Sequence, residues 1–149
     1  MGVRYAERTS VPVAQSRAEV EKLLIRHGAN QFVFGSADGQ ALVAFEMRTK
    51  DNGGDSVTRR LRFLVPMPMA SRSMTDKKVA AETRRRWRAL LLVLKAKLEA
   101  VASGIVAFDT EFLAHIVVDG SRTVGDRLVP ELTATLAAGG NLPPLLGPG

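Results

Sequence analysis

Two sets of residues in this chain have the types and spacing to do chemistry. The first is cationic. If residues 76–103 are helical, Lys77, Arg84, Arg88 and Lys95 project within about 40° of one another, with Lys78 and Arg85 further round. Cations strung along one face suit a phosphate backbone, because each contact releases condensed counterions. The same stripe has a second reading, as a solvated outer face whose aliphatic stems cover apolar surface. Arg60 and Arg62, two apart on a strand pattern, extend the patch if their strand face lies nearby. The second set is Glu111 and His115, four apart and on one face of a helix. A carboxylate that orients an imidazole is an acid–base pair. The same spacing also makes an ordinary surface hydrogen bond.

The stretch that must position the cations is Asp76 to Ser103, DKKVAAETRRRWRALLLVLKAKLEAVAS. Ala80, Trp87, Leu90, Leu91, Leu94, Leu98 and Val101 recur at helical spacing and share one apolar sector. Thr75 or Asp76 can cap the first turn, and Gly104 suits the position after the last. Leu92 and Val93 fall outside the apolar sector, so the helix is either covered on a second side or faces a partner.

The net charge is +6, and it is unevenly spread. Residues 1–103 carry 19 Lys/Arg against 10 Asp/Glu, and residues 104–149 carry 2 against 5. Between Arg59 and Lys97 there are 12 basic residues and 2 acidic ones. A like-charged cluster repels itself, so it is easiest to explain by an anionic partner. Nucleic acid, an acidic protein and a membrane surface all satisfy that electrostatics.

Cysteine is absent, which removes disulfides, thiolate nucleophiles and Cys-type zinc sites, and is compatible with a reducing cytoplasm. No run of about 18 uncharged apolar residues predicts a membrane span. Arg4, Glu7 and Arg8 leave no apolar segment for a secretory signal. Neither an HExxH, a GxSxG nor a P-loop motif is present, and two His residues offer no ligand spacing, so no metal or other cofactor is expected.

Read in order, residues 1–15 suggest an extended arm packed through Tyr5, Val11, Pro12 and Val13. SRAE at Ser16–Glu19 has the pattern of a capping box opening a helix to about His27, with Val20, Leu23 and Leu24 inward and Arg17, Lys22 and Arg26 mostly outward. Strands are predicted at Gln31–Gly35, Gln40–Arg48 and Val57–Val65. In the third, Leu61, Phe63 and Val65 share one face, and Arg60 and Arg62 the other. Phe32, Phe34, Phe45, Phe63 and Trp87 are assigned mainly to the core rather than to base stacking, and Glu46 to solvent or a cross-strand Arg. A short helix is predicted from about Asp109 to Ile116, a turn at Asp119-Gly120, and a last helix capped by Thr123 over roughly Val124–Ala138, which Pro130 could kink or end early. The fold class is α+β: a three-stranded antiparallel sheet packed on a long helix, in the order α-β-β-β-α-α-α. Residues 1–138 form one domain, and 139–149 a flexible Gly/Pro-rich tail.

The order helix, three strands, helix over residues 16–100, with Lys77-Lys78 opening the second helix, resembles the double-stranded RNA-binding domain. That resemblance implies lysines meeting phosphates across a groove. The phrases YAERTSVPV, SRAEVEKLL, RRRWRALLLVLKAKLEAVASGI, EFLAHIVV and RTVGDRL are similar to a family of small phage and prophage proteins without an assigned activity. This second resemblance implies the cytoplasm of a bacterial host and transfers no catalytic residue. The expectation is a non-enzymatic nucleic-acid-binding protein, or else a protein-binding host-takeover or anti-defence factor acting as an oligomer or heteromer.

Overall fold

The computed structural model describes residues 11–37, 39–51, 53–140 and 144–145. Helix α1 spans Val11–Arg26 and leads into three strands, β1 (Ala29–Ala37), β2 (Gln40–Lys50) and β3 (Ser56–Pro66). The long helix α2, Asp76–Ala102, follows. After it come a short helix α3 (Phe108–Phe112), a 3₁₀ turn (Leu113–His115), a hairpin of β4 (Val117–Asp119) and β5 (Arg122–Thr123), and helix α4 (Val124–Ala137).

The strands form one antiparallel sheet in the order β1-β2-β3. Alternation along β2 buries Ala41, Val43, Phe45 and Met47, whose register partners on β3 include Val65, Phe63 and Leu61. Phe32 and Phe34 of β1 lie on the same face. Both long helices cover that face. α1 contributes Val13, Val20, Leu23 and Leu24, and α2 contributes Trp87, Leu90, Leu94 and Leu98. Trp87 is 4% exposed and its ring centroid is 6.3 Å from that of Phe34. Phe112 of α3 is fully buried and meets Phe45 and Phe63 edge-on. The α+β class, the three-stranded sheet and the core assignments of the phenylalanines and Trp87 follow as expected.

Several details differ from the sequence expectation. α1 begins at Val11, so Ser16 and Glu19 lie inside it and form no capping box. Pro12 stands in the first turn, where its missing N–H costs no helical hydrogen bond. Val11 to Val13 are therefore helical rather than extended, and Tyr5 falls outside the described residues. Gly28, at φ +94°, ends α1, a backbone geometry that a side chain would strain. The last part of the chain is not a plain α-α-α run. Val117, Val118 and the Asp119-Gly120 turn favour a hairpin, and β4–β5 separates α3 from α4. A single bridge from Ile116 to Leu61 sets the segment entering that hairpin beside β3.

Pro130 does not stop α4, which runs through to Ala137. Its start is firmly built. Thr123 accepts a hydrogen bond from the Asp126 N–H (3.1 Å), and Asp126 accepts one from the Thr123 N–H (3.0 Å). A Cβ on Gly125 would stand 2.7 Å from the Ala114 carbonyl oxygen, so only glycine allows this approach. At the opposite end of the described chain, Gly139 and Gly140 follow the helix, and most of the tail beyond them lies outside the described residues.

Trp87→Ala is expected to destabilise the fold by about 3–5 kcal/mol, through lost transfer energy and the cavity left against Phe34. Urea unfolding followed by circular dichroism measures this. An unchanged midpoint would show that Trp87 does not anchor the helix to the sheet.

Candidate nucleic-acid interface

α2 is a long support for charge. Thr75 caps it by accepting from the Lys78 N–H (3.3 Å), and the Ser103 N–H closes it on the Glu99 carbonyl (2.9 Å). With Trp87, Leu90, Leu94 and Leu98 pointing into the core, Lys77, Arg84, Arg88 and Lys95 fall on the flank of the helix. Lys77, Arg88 and Lys95 are exposed and Arg84 is half-buried. At 1.5 Å per residue the stripe runs about 27 Å. Among the described residues, none of these four cations, nor Lys78, enters a side-chain hydrogen bond or an ion pair.

Their neighbours are engaged. Arg85 and Arg86 both reach Glu82, at 2.8 Å and 3.0 Å. Hydrogen bonds from Arg85 and then Arg86 hold the Glu82 carboxyl down at about 2, well below the usual carboxylate range. Arg86 also donates to the Pro66 carbonyl, tying α2 to the end of β3. Arg85, a flanking member of the predicted patch, is thus partly neutralised within the protein.

Arg60 and Arg62 do not extend this patch. Strand alternation places them on the sheet face turned away from α2, opposite the layer made by Leu61 and Phe63. Arg60 pairs with Glu46 across the strands at 2.9 Å, as the cross-strand reading of Glu46 expects. The Arg62 Nη1 donates to the Ser121 carbonyl in the β4–β5 turn (2.6 Å).

Glu111 and His115 do not form an acid–base pair either. The helix that would have carried both ends at Phe112, and His115 sits in the 3₁₀ turn. Its ring stacks on Phe63, with centroids 3.9 Å apart and planes 16° apart. Burial, and secondarily the Lys97 charge, pushes the imidazole below its usual range, against the opposing effect of a hydrogen bond with the Arg62 backbone. Glu111 instead approaches Lys97 (3.8 Å), whose ammonium also donates to the Glu111 carbonyl (3.1 Å) and lies 5.7 Å from the Phe112 ring centroid.

Two features escaped sequence reasoning. Arg17 is not simply outward: its guanidinium stands 5.3 Å from the Phe34 ring centroid and 5.8 Å from that of Trp87. A basic residue three before an inward Val20 was the available sign that its stem could reach the core edge. The other is a groove of about 280 Å³ on the outer sheet face, between the strands and the β4–β5 turn, with Val33 and Ala44 among its lining residues. Its hairpin wall is set by tertiary packing, and no local pattern marks it.

Among the described residues no group of three or more His, Asp or Glu side chains could hold a metal ion, and no helix is long and apolar enough to cross a membrane. No protein-family model, curated protein or solved structure matches the chain.

The environment of His115 generates a pH dependence. The unfolded chain accepts a proton near pH 6.5, whereas the folded imidazole resists it. The unfolded state therefore binds more protons in this range, and stability falls as pH drops below about 6.5. The urea midpoint is expected to decline as the pH falls below about 6.5. His115→Phe keeps an aromatic ring on Phe63 and should flatten that decline. An equal decline in the variant would assign the effect to another group.

Proposed function

We propose that this chain is a non-enzymatic nucleic-acid-binding accessory protein, of the kind used in phage replication or recombination, and that it grips phosphates with one flank of α2. The observation that carries this reading is the contrast among its cations. Arg59, Arg60, Arg62, Arg85, Arg86 and Lys97 are each held by an acidic group or a carbonyl. Lys77, Arg84, Arg88 and Lys95 share one face and have no such partner among the described residues. An unneutralised row of this length repels itself and is relieved by a polyanion. The order α1, three strands, α2 and the position of Lys77-Lys78 at the start of α2 are compatible with the resemblance to the double-stranded RNA-binding domain.

A second reading, a protein-binding host-takeover or anti-defence factor, is favoured by Leu92 and Val93, which are 61% and 45% exposed on α2. A partner that covers them would bury apolar surface and show little dependence on salt.

Fluorescence anisotropy with labelled single- and double-stranded DNA and RNA, over a series of salt concentrations, separates the two. Replacing Arg84 and Arg88 together by Ala should weaken binding across sequences and reduce the log–log salt slope by about one unit per lost contact. Replacing Arg60 and Arg62 should leave the slope unchanged, because they occupy the other face. Lack of binding by the wild type at low salt would end the proposal. An unchanged slope in the Arg84/Arg88 variant would move the interface off α2.

A further inference from the structure

The first turn of α4 is fixed to the body by the Thr123–Asp126 capping box and by the close approach of Gly125 to Ala114. Beyond that root, every residue from Asp126 to Gly140 is exposed. Leu128, Val129, Leu132 and Leu136 are 52–62% exposed and fall within a sector of about 100°. A helix of this length is marginal in water unless one face is packed. It has the pattern of a packed helix, and among the described residues nothing packs it beyond its root.

The outer face of the sheet has the complementary surface. Val33 is 61% exposed and Leu64 43%, and with Ala44 they give it an apolar floor. One wall of its groove is the β4–β5 turn, which leads directly into the root of α4. The charges also match. Arg48, Arg60 and Arg62 outnumber Glu46 on this sheet face, whereas Asp126 and Glu131 outnumber Arg127 on α4. The exposed side of α2 at Leu92 and Val93 is a poorer seat, being the convex surface of a helix rather than a groove.

We infer that the protein forms a two-fold dimer in which α4 of each copy lies across the outer sheet face of the other. This goes beyond the nucleic-acid reading and does not depend on it. The reciprocal form follows from size. One short helix on one sheet is well below the ~800 Å² per partner that a stable pair buries, and a reciprocal exchange doubles the contact. It also follows from position, since the groove wall and the helix root are adjacent and a two-fold axis near them serves both contacts.

Analytical ultracentrifugation of the full chain, without nucleic acid, tests this across a wide concentration range. The wild type should sediment as a dimer that dissociates on dilution. Val33→Glu, which alters the sheet, and Leu132→Lys, which alters the helix, should each sediment as monomers with unchanged circular dichroism. Mixed together, they should recover a dimer weaker than that of the wild type, because one of its two contacts is intact and the other sets the introduced lysine against the introduced glutamate. Leu64→Glu and Leu136→Lys serve as replacements if either variant fails to fold. A wild type that is monomeric at every concentration, including one whose own terminal segments cover α4, overturns the inference. So does a dimer that survives Val33→Glu, which would indicate helix-to-helix pairing, or a mixture that stays monomeric.

Discussion

One apolar layer holds the body of this protein together, between the inner face of the sheet and the two long helices. Val43, Phe45, Leu61 and Phe63 supply the sheet side, and Val20, Leu24, Trp87, Leu94 and Leu98 the helical side. Because strand side chains alternate, filling this layer with odd-numbered residues of β2 and β3 sends the even-numbered ones to the other face. Glu46, Arg60 and Arg62 are outward for that reason. On α2 the same burial fixes the rotation of the helix, and with it the direction of every cation it carries. Phe112 closes the layer at the β3 side, and His115 stacks on Phe63 at its rim.

The distribution of paired and unpaired cations follows from this arrangement. Acidic residues of the later segment serve the body: Asp109 pairs with Arg59, and Glu111 with Lys97. Glu82 occupies Arg85 and Arg86 within α2 itself. Partly exposed pairs of this kind add little to stability, so their main consequence here is electrostatic. They remove charge from the edges of α2 and leave the row from Lys77 to Lys95 as its uncompensated flank. A row that is costly to keep together in the free protein is a surface suited to a polyanion.

The two ends of the fold are built on different terms. α1 docks along its length, with Val13, Val20, Leu23 and Leu24 in the core and Arg17 beside Phe34 and Trp87. Among the described residues α4 docks only through its first turn, where Thr123 is buried and Gly125 meets Ala114. Its apolar stripe and the apolar floor of the outer sheet are surfaces that resemble interior but face outward.

Much of the architecture was legible from local pattern. The alternation of QALVAFEMR and VTRRLRFLV specified which side chains go inward, and the spacing of Trp87, Leu90, Leu94 and Leu98 specified the buried side of α2. Thr123 marked the start of the last helix, and that helix runs past Pro130 to Ala137. These features depend on residues a few positions apart, so one sequence suffices to see them. The start of α1 was misread because a good capping pattern at Ser16 competed with a helix whose earlier turn gains more by burying Val13. What only the tertiary structure decided was which distant groups meet. That Arg60 and Arg62 lie across the sheet from α2, that Glu111 meets Lys97 rather than His115, and that the hairpin walls a groove all depend on how layers stack. Such contacts join residues far apart in the chain, and burial of the shared core, rather than any local preference, selects them.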